Sequence, residues 1–311
     1  MVEVPVHKII VLALVGLAAQ LVDGALGMGY GLTSTTLLLA AGVAPAAASA
    51  SVHLAEVGTS LASGVAHWRF GNVDWPVVRR IALPGAVGAF LGATVLASLS
   101  TAAAAPWVSG ILVALGIALL LRFARPLPAA RGGRTRTRFL APLGLVAGFI
   151  DATGGGGWGP VATPSLLAHG RLEPRRVIGS VDTAEFIVAL AASAGFLLGL
   201  GSGGFVGPTV VALLAGGLIA APLAAWLIRI VPTQVLGAAV GGMVLLTNAR
   251  VLADAADLPP AARVAAYTVL ATLWAASLYL ALRALRRPTA PAAPTPSLAD
   301  ATLRSAPSTS P

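Results

Sequence analysis

Residues 22–31 read VDGALGMGYG and residues 150–159 read IDATGGGGWG. Each stretch sets one aspartate ahead of a run of glycines in a chain that is otherwise apolar, and Asp23 and Asp151 stand 128 positions apart (151 minus 23). The same offset pairs Gly27 with Gly155, Gly29 with Gly157, Tyr30 with Trp158, Gly31 with Gly159 and Gly42 with Gly170. One inserted residue then shifts the register, so that Pro45 meets Pro174 and SVHLAEV (51–57) meets SVDTAEF (180–186). An acid, a glycine cluster and a second acid recurring in the same order mark two homologous halves, a plan common in transporters.

Composition sets the solvent. Of 311 residues, 57% are hydrophobic and 10% charged, against about 25% charged in soluble domains. Runs such as 81–99, 107–121, 208–228 and 261–282 approach the roughly 20 apolar residues that cross a bilayer core as helix. The short alternating segments of a barrel are missing. The chain is therefore expected to be an all-α polytopic membrane protein. Its net charge of +9 does not point to nucleic acid, because the arginines fall between the apolar runs and not along one amphipathic face. With no cysteine, disulfides, thiolate metal sites and thiol nucleophiles are excluded. Lys8 and the apolar run after it could pass for a signal peptide, but the repeat extends into this segment. The stretch 288–311, rich in Pro, Ala, Ser and Thr, is expected to be a disordered tail.

Basic residues orient the spans. Arg125, Arg131, Arg134, Arg136 and Arg138 crowd the linker 124–138, and Arg283, Arg286 and Arg287 follow the last apolar run. Both regions are expected to be cytoplasmic. Helices are predicted at 46–68, 77–98 and 105–123 in the first half and at 174–200, 207–229 and 232–253 in the second. An extra C-terminal helix follows at 261–284. The repeats span 8–123 and 139–253, each a Gly-rich broken-helix hairpin (8–42 and 139–169) followed by three membrane spans. Three spans per repeat make the halves inverted relative to each other, so that each hairpin enters from a different face. A hairpin that crossed as a broken helix would change this parity.

Gly154, Gly156 and Gly159 make a literal G-x-G-x-x-G, but the dinucleotide fingerprint needs a preceding strand in a βαβ unit and the flanks here are apolar helical runs. Non-helical backbone at membrane depth is tolerated only where protein buries it or a cavity borders it. The segments after the breaks read as helix starts, whose amides and dipole favour an anion. Gly27, Gly29, Tyr30, Gly31, Gly155, Gly156, Gly157, Trp158 and Gly159, with Ser51 and Ser180, are the candidate substrate-binding residues. The competing reading is that small residues permit close helix contact, which suits the scattered glycines of 205–242.

Of eleven acids, Asp23, Glu56, Asp151, Asp182 and Glu185 fall in predicted membrane segments, where each costs about 2.5–3.5 kcal/mol on insertion scales. Ser49, His53, Glu56, Ser60, Ser63 and His67 recur every three or four residues and form one polar stripe. Asp182 and Glu185 occupy the matching positions in the second half. Glu56, Glu185, His53 and Asp182 are candidate proton-coupling residues; the alternative is a set of structural hydrogen bonds stitching the halves together. Asp23 and Asp151 fit a helix cap. A hydrolytic triad, a metal site and a P-loop are all lacking, so neither an enzyme nor a cofactor is expected.

DGALGMGYG and DATGGGGWGPVATP, together with SASVHLAEV and IGSVDTAEF, resemble the TauE/SafE-like sulfite exporters of the toluene sulfonate uptake permease superfamily, over most of residues 8–255. The first half departs from the second: Leu26 and Met28 interrupt its glycines, and Leu32 stands where the second half has Pro160. The resemblance implies a multi-pass bacterial inner-membrane secondary transporter of sulfite, organosulfonates or related anions. Proton-coupled export by alternating access is the leading expectation. Import of sulfonates or carboxylates, sodium coupling and a membrane-embedded binding scaffold are the alternatives. The expected partners are the bilayer, a small anion and a proton.

Overall fold

The computed structural model describes residues 6–26, 28–123, 136–227 and 233–285. Gly27, most of the basic linker and the stretch from residue 286 on lie outside the described residues. Eleven α-helices and one 3₁₀ turn occupy them, with no strand among the described residues. In the first half these are α1 (Val6–Leu26), α2 (Tyr30–Ala40), α3 (Pro45–Arg69), α4 (Trp75–Ser98) and α5 (Thr101–Phe123). In the second they are α6 (Thr137–Gly154), α7 (Trp158–His169), α8 (Pro174–Leu200), α9 (Gly207–Leu227) and α10 (Thr233–Ala255), with α11 (Pro260–Leu285) appended. The protein is an all-α polytopic membrane protein.

Local chemistry sets the helix ends. Pro45 and Pro174 open α3 and α8, where a missing N–H costs nothing. Asp74 caps α4 by accepting the Val77 N–H at 3.2 Å. Gly155 and Gly170, both left-handed, close α6 and α7. The helix α5 begins at Thr101, four residues before the expected start, because the Ser100 hydroxyl accepts the Ala103 N–H and offers an N-cap ahead of Pro106.

Six helices, α1, α4, α5, α8, α10 and α11, are apolar over a length that crosses a membrane. The 25 residues of α3 are long enough, but its polar stripe keeps it out of that set. At 11 residues, α2 rises about 16 Å and reaches only half-way through a hydrocarbon core.

The halves interlock and do not sit side by side. The most extensive packing joins α4 to α6 and α1 to α9, and exchanging α1–α5 with α6–α10 turns one contact into the other. A Cβ at Gly88 would collide with the Leu145 carbonyl, and one at Gly148 with the Gly85 carbonyl, so α4 and α6 lie backbone to backbone as small residues allow. Matching helices also pair with each other. His53 stacks on Phe196 while Gly64 packs on Thr183 and Gly179 on Asn72, so α3 and α8 run antiparallel. Gly116 meets Gly241 and Phe123 meets Gly237, so α5 and α10 also run antiparallel.

Candidate functional site

Where α1 gives way to α2 and α6 to α7, the two glycine breaks press directly on each other. A Cβ at Gly31 would lie 2.7 Å from the Gly156 Cα and 2.8 Å from Glu56 Oε1. Gly156 has φ 143°, and a Cβ there would strike the Leu32 nitrogen. Both space and backbone therefore require glycine at this crossing. Side chains fix the contact: Thr35 donates to the Gly155 carbonyl, and Ser49 donates to the Ala152 carbonyl at 2.9 Å.

The two aspartates hold the new helix starts. Asp151 Oδ1 accepts the N–H groups of Gly157 at 2.7 Å and Trp158 at 2.9 Å, at the beginning of α7. Asp23 Oδ1 accepts the Tyr30 N–H at 3.2 Å, at the beginning of α2. A carboxylate at a helix N-terminus is favoured by the dipole, and here it occupies donors that the sequence reading assigned to substrate.

Around the crossing lie the ionisable residues. His53 Nδ1 is 2.7 Å from Glu56 Oε2 and 3.9 Å from Asp151 Oδ2. Glu185, half-buried on α8, is within electrostatic reach of Glu56, Asp23, Asp182 and Asp151. Asp182 Oδ2 is buried without a hydrogen-bond partner and lies 3.8 Å from His67 Nε2. Five carboxyl groups thus share one region, while no lysine or arginine is buried among the described residues. Glu56 Oε1, Asp151 Oδ2 and His53 Nε2 are buried without a hydrogen-bond partner, so the region holds unspent polar capacity.

Other candidates are already engaged. The Ser51 hydroxyl accepts the Val206 N–H at 3.1 Å, and Ser180 accepts the Asp74 N–H at 2.8 Å. Each of these matched serines therefore secures the start of the other half's fourth helix. The Tyr30 hydroxyl donates to the Leu213 carbonyl at 3.1 Å, and the Trp158 indole N–H to the Val181 carbonyl at 2.9 Å. Trp158 is fully enclosed and packs on Gly85, while Tyr30 packs on Gly217, a second matched exchange. Gly29 and Gly159 are buried at the helix starts. Thr35, Ser49 and the two aspartates were absent from the candidate set; the recurrence of Asp23 as Asp151 was the signal for the last two.

A separate cavity of about 790 Å³ opens beside the end of α2, between α10 and α11. Arg250, Asp254, Arg263 and Tyr267 border it, and it shares no residue with the glycine breaks. At its edge Asn248 donates to Thr36 Oγ1 at 3.0 Å and to the Val244 carbonyl at 2.9 Å.

A multi-helix membrane protein with irregular, glycine-rich backbone at a buried charged centre has the makings of a membrane transporter. The sulfite exporter TauE/SafE family matches residues 12–251, and the chain belongs to that family. It is 48% identical over 278 residues to the "Probable membrane transporter protein YtnM" of Bacillus subtilis (strain 168), covering 88% of this chain and 93% of that protein. No solved structure matches.

Proposed function

We propose that the protein is a secondary transporter that exports a small sulfur-containing anion, sulfite or an organosulfonate, by proton-coupled alternating access between inverted repeats in the bacterial inner membrane. The observation that carries this reading is the meeting of Gly31 and Gly156 beside the unpartnered Oε1 of Glu56. Backbone amides of the helix starts, around Gly29, Gly31, Gly157 and Gly159, bind the anion, whereas those of Gly155 and Gly156 donate to the Asp151 backbone carbonyl. Glu56 and Glu185, with His53 and Asp182, hold the coupling protons. Glu56 is buried with an unpartnered Oε1 while no lysine or arginine is buried among the described residues, and because uncompensated buried charge is costly this supports a proton-holding role there.

Inversion of the repeats is supported by the antiparallel pairing of α3 with α8 and of α5 with α10, as a twofold axis in the membrane plane would demand. The arginine-rich linker 124–138 and the C-terminal end are assigned to the cytoplasm. The name of the family supplies the substrate class and the outward direction.

Reconstitution tests the reading. Sulfite flux in proteoliposomes should respond to an imposed pH gradient in the wild type and lose that response in Glu56→Gln and in Glu185→Gln. Full coupling in both variants would refute the proton role; absence of any anion flux in the wild type would refute transport.

A further inference from the structure

The geometry points to Asp151 as a resident ligand of the anion site, which the transported anion must displace and which yields its amides when protonated. This rests on the proposed transport function and adds the element that joins proton to anion. The amides of Gly157 and Trp158 are the first donors of the 12-residue α7, and both are held by one oxygen of Asp151. Its other oxygen is buried, with Asp151 only 1% exposed, and has no partner. A structural cap would need only the first oxygen. The second faces His53 Nδ1 at 3.9 Å, a nitrogen that already contacts Glu56 Oε2 at 2.7 Å.

An anion cannot share these amides with a carboxylate, because like charges within about 4 Å repel by several kcal/mol at an effective dielectric near 20. Once the imidazole turns from Glu56 and closes the 3.9 Å gap to Oδ2, proton transfer from the His53 imidazolium to Asp151 removes the conflict. The Nδ1–H bond breaks, an O–H bond forms on Oδ2, and the neutral carboxylic acid is an acceptor that an anion can displace. Glu56 can recharge His53 across their contact. The titratable groups within reach of Asp151 are His53 and Glu56 on α3 and Glu185 on α8; α1 and α2 carry Asp23 and Tyr30, and α3 and α8 also carry His67 and Asp182. Those of α4, α5, α7 and α6 itself, namely Arg79, Arg80, Arg122, His169 and Arg138, sit at helix ends. The buried groups that share the proton with Asp151 are therefore the His53–Glu56 pair and the neighbouring carboxylates, with no lysine or arginine buried among the described residues. Asp23 plays the matching part at α2 with one longer bond to Tyr30, so its hold is weaker. Proton and anion binding at this site then reinforce each other.

Asp151→Asn isolates the charge, since asparagine caps a helix about as well as aspartate. Binding of methanesulfonate, whose charge is constant over the range, and of sulfite is measured by calorimetry on the purified full chain from pH 5 to 8.5. The expected result is that Asp151→Asn binds methanesulfonate about tenfold or more tighter than wild type at pH 8. Wild-type binding should take up protons, and the variant should take up fewer. Equal affinity with equal proton uptake would overturn the role of Asp151 while leaving transport to the flux assay. Failure of Asp151→Asn to bind either anion at any pH would also overturn it, since the variant is permanently in the permissive state. Should Asp151→Asn not fold, Asp23→Asn is measured in the same way. A smaller gain in the same direction supports the inference, and none overturns it.

Discussion

Gly156 is the residue on which the crossing depends. It combines a backbone angle that side chains rarely adopt with contact against the backbone at Leu32, so Gly156→Ala is expected to cost about 3 kcal/mol or more. Gly42, with φ 83° but open space around it, is the control: Gly42→Ala bears only the backbone penalty, about 1–2 kcal/mol. Thermal unfolding of the purified variants separates the two. Glycine's importance at 155–159 was legible from the duplicated motif; its cause was not. A repeat reveals that two segments are alike, but not that they touch, and the touching is what forbids a side chain. For the same reason the sequence placed Tyr30 and Trp158 beside substrate, although their polar atoms are spent on Leu213 and Val181.

At the scale of helices, periodicity and end signals carried most of the information. The prolines at 45 and 174 and the polar stripe of α3 located those helices to within a residue. The start of α5 was misplaced because Pro106 drew attention from Ser100, whose cap lies one turn earlier. Less visible was how helices of one half begin against the other. Ser51 and Ser180 were read as ligand-binding from their recurrence, yet each accepts an N–H leading into α9 or α4. Ser180→Ala should leave the Asp74 N–H without this partner and cost about 1–2 kcal/mol. Flux per folded molecule should be retained, checked by unfolding and transport on one preparation. A large loss of sulfite affinity would instead return Ser180 to the binding site.

For the whole molecule, the sequence reading divided the chain into two halves, and it did not show that helices of one half pack most extensively on helices of the other. Helix pairs α1 with α9 and α4 with α6 cross the division, so cutting the chain in the linker should leave neither fragment stable alone. Co-expression of 1–130 with 131–311 is expected to restore a complex that co-purifies, whereas each fragment alone is degraded. A stable isolated half would contradict the interlocked packing.

The interlock also makes demands on biosynthesis. On leaving the ribosome, α1 carries a packing face with Ala13, Gly16 and Leu17 that is filled by α9. At 5–20 residues per second, that helix follows on the order of ten seconds or more later. Throughout that interval the newborn segment sits in lipid with its contact surface unfilled, vulnerable to pairing with the wrong helix. Insertion machinery that shelters early segments until late ones arrive is therefore as much a requirement of this architecture as any residue in its centre.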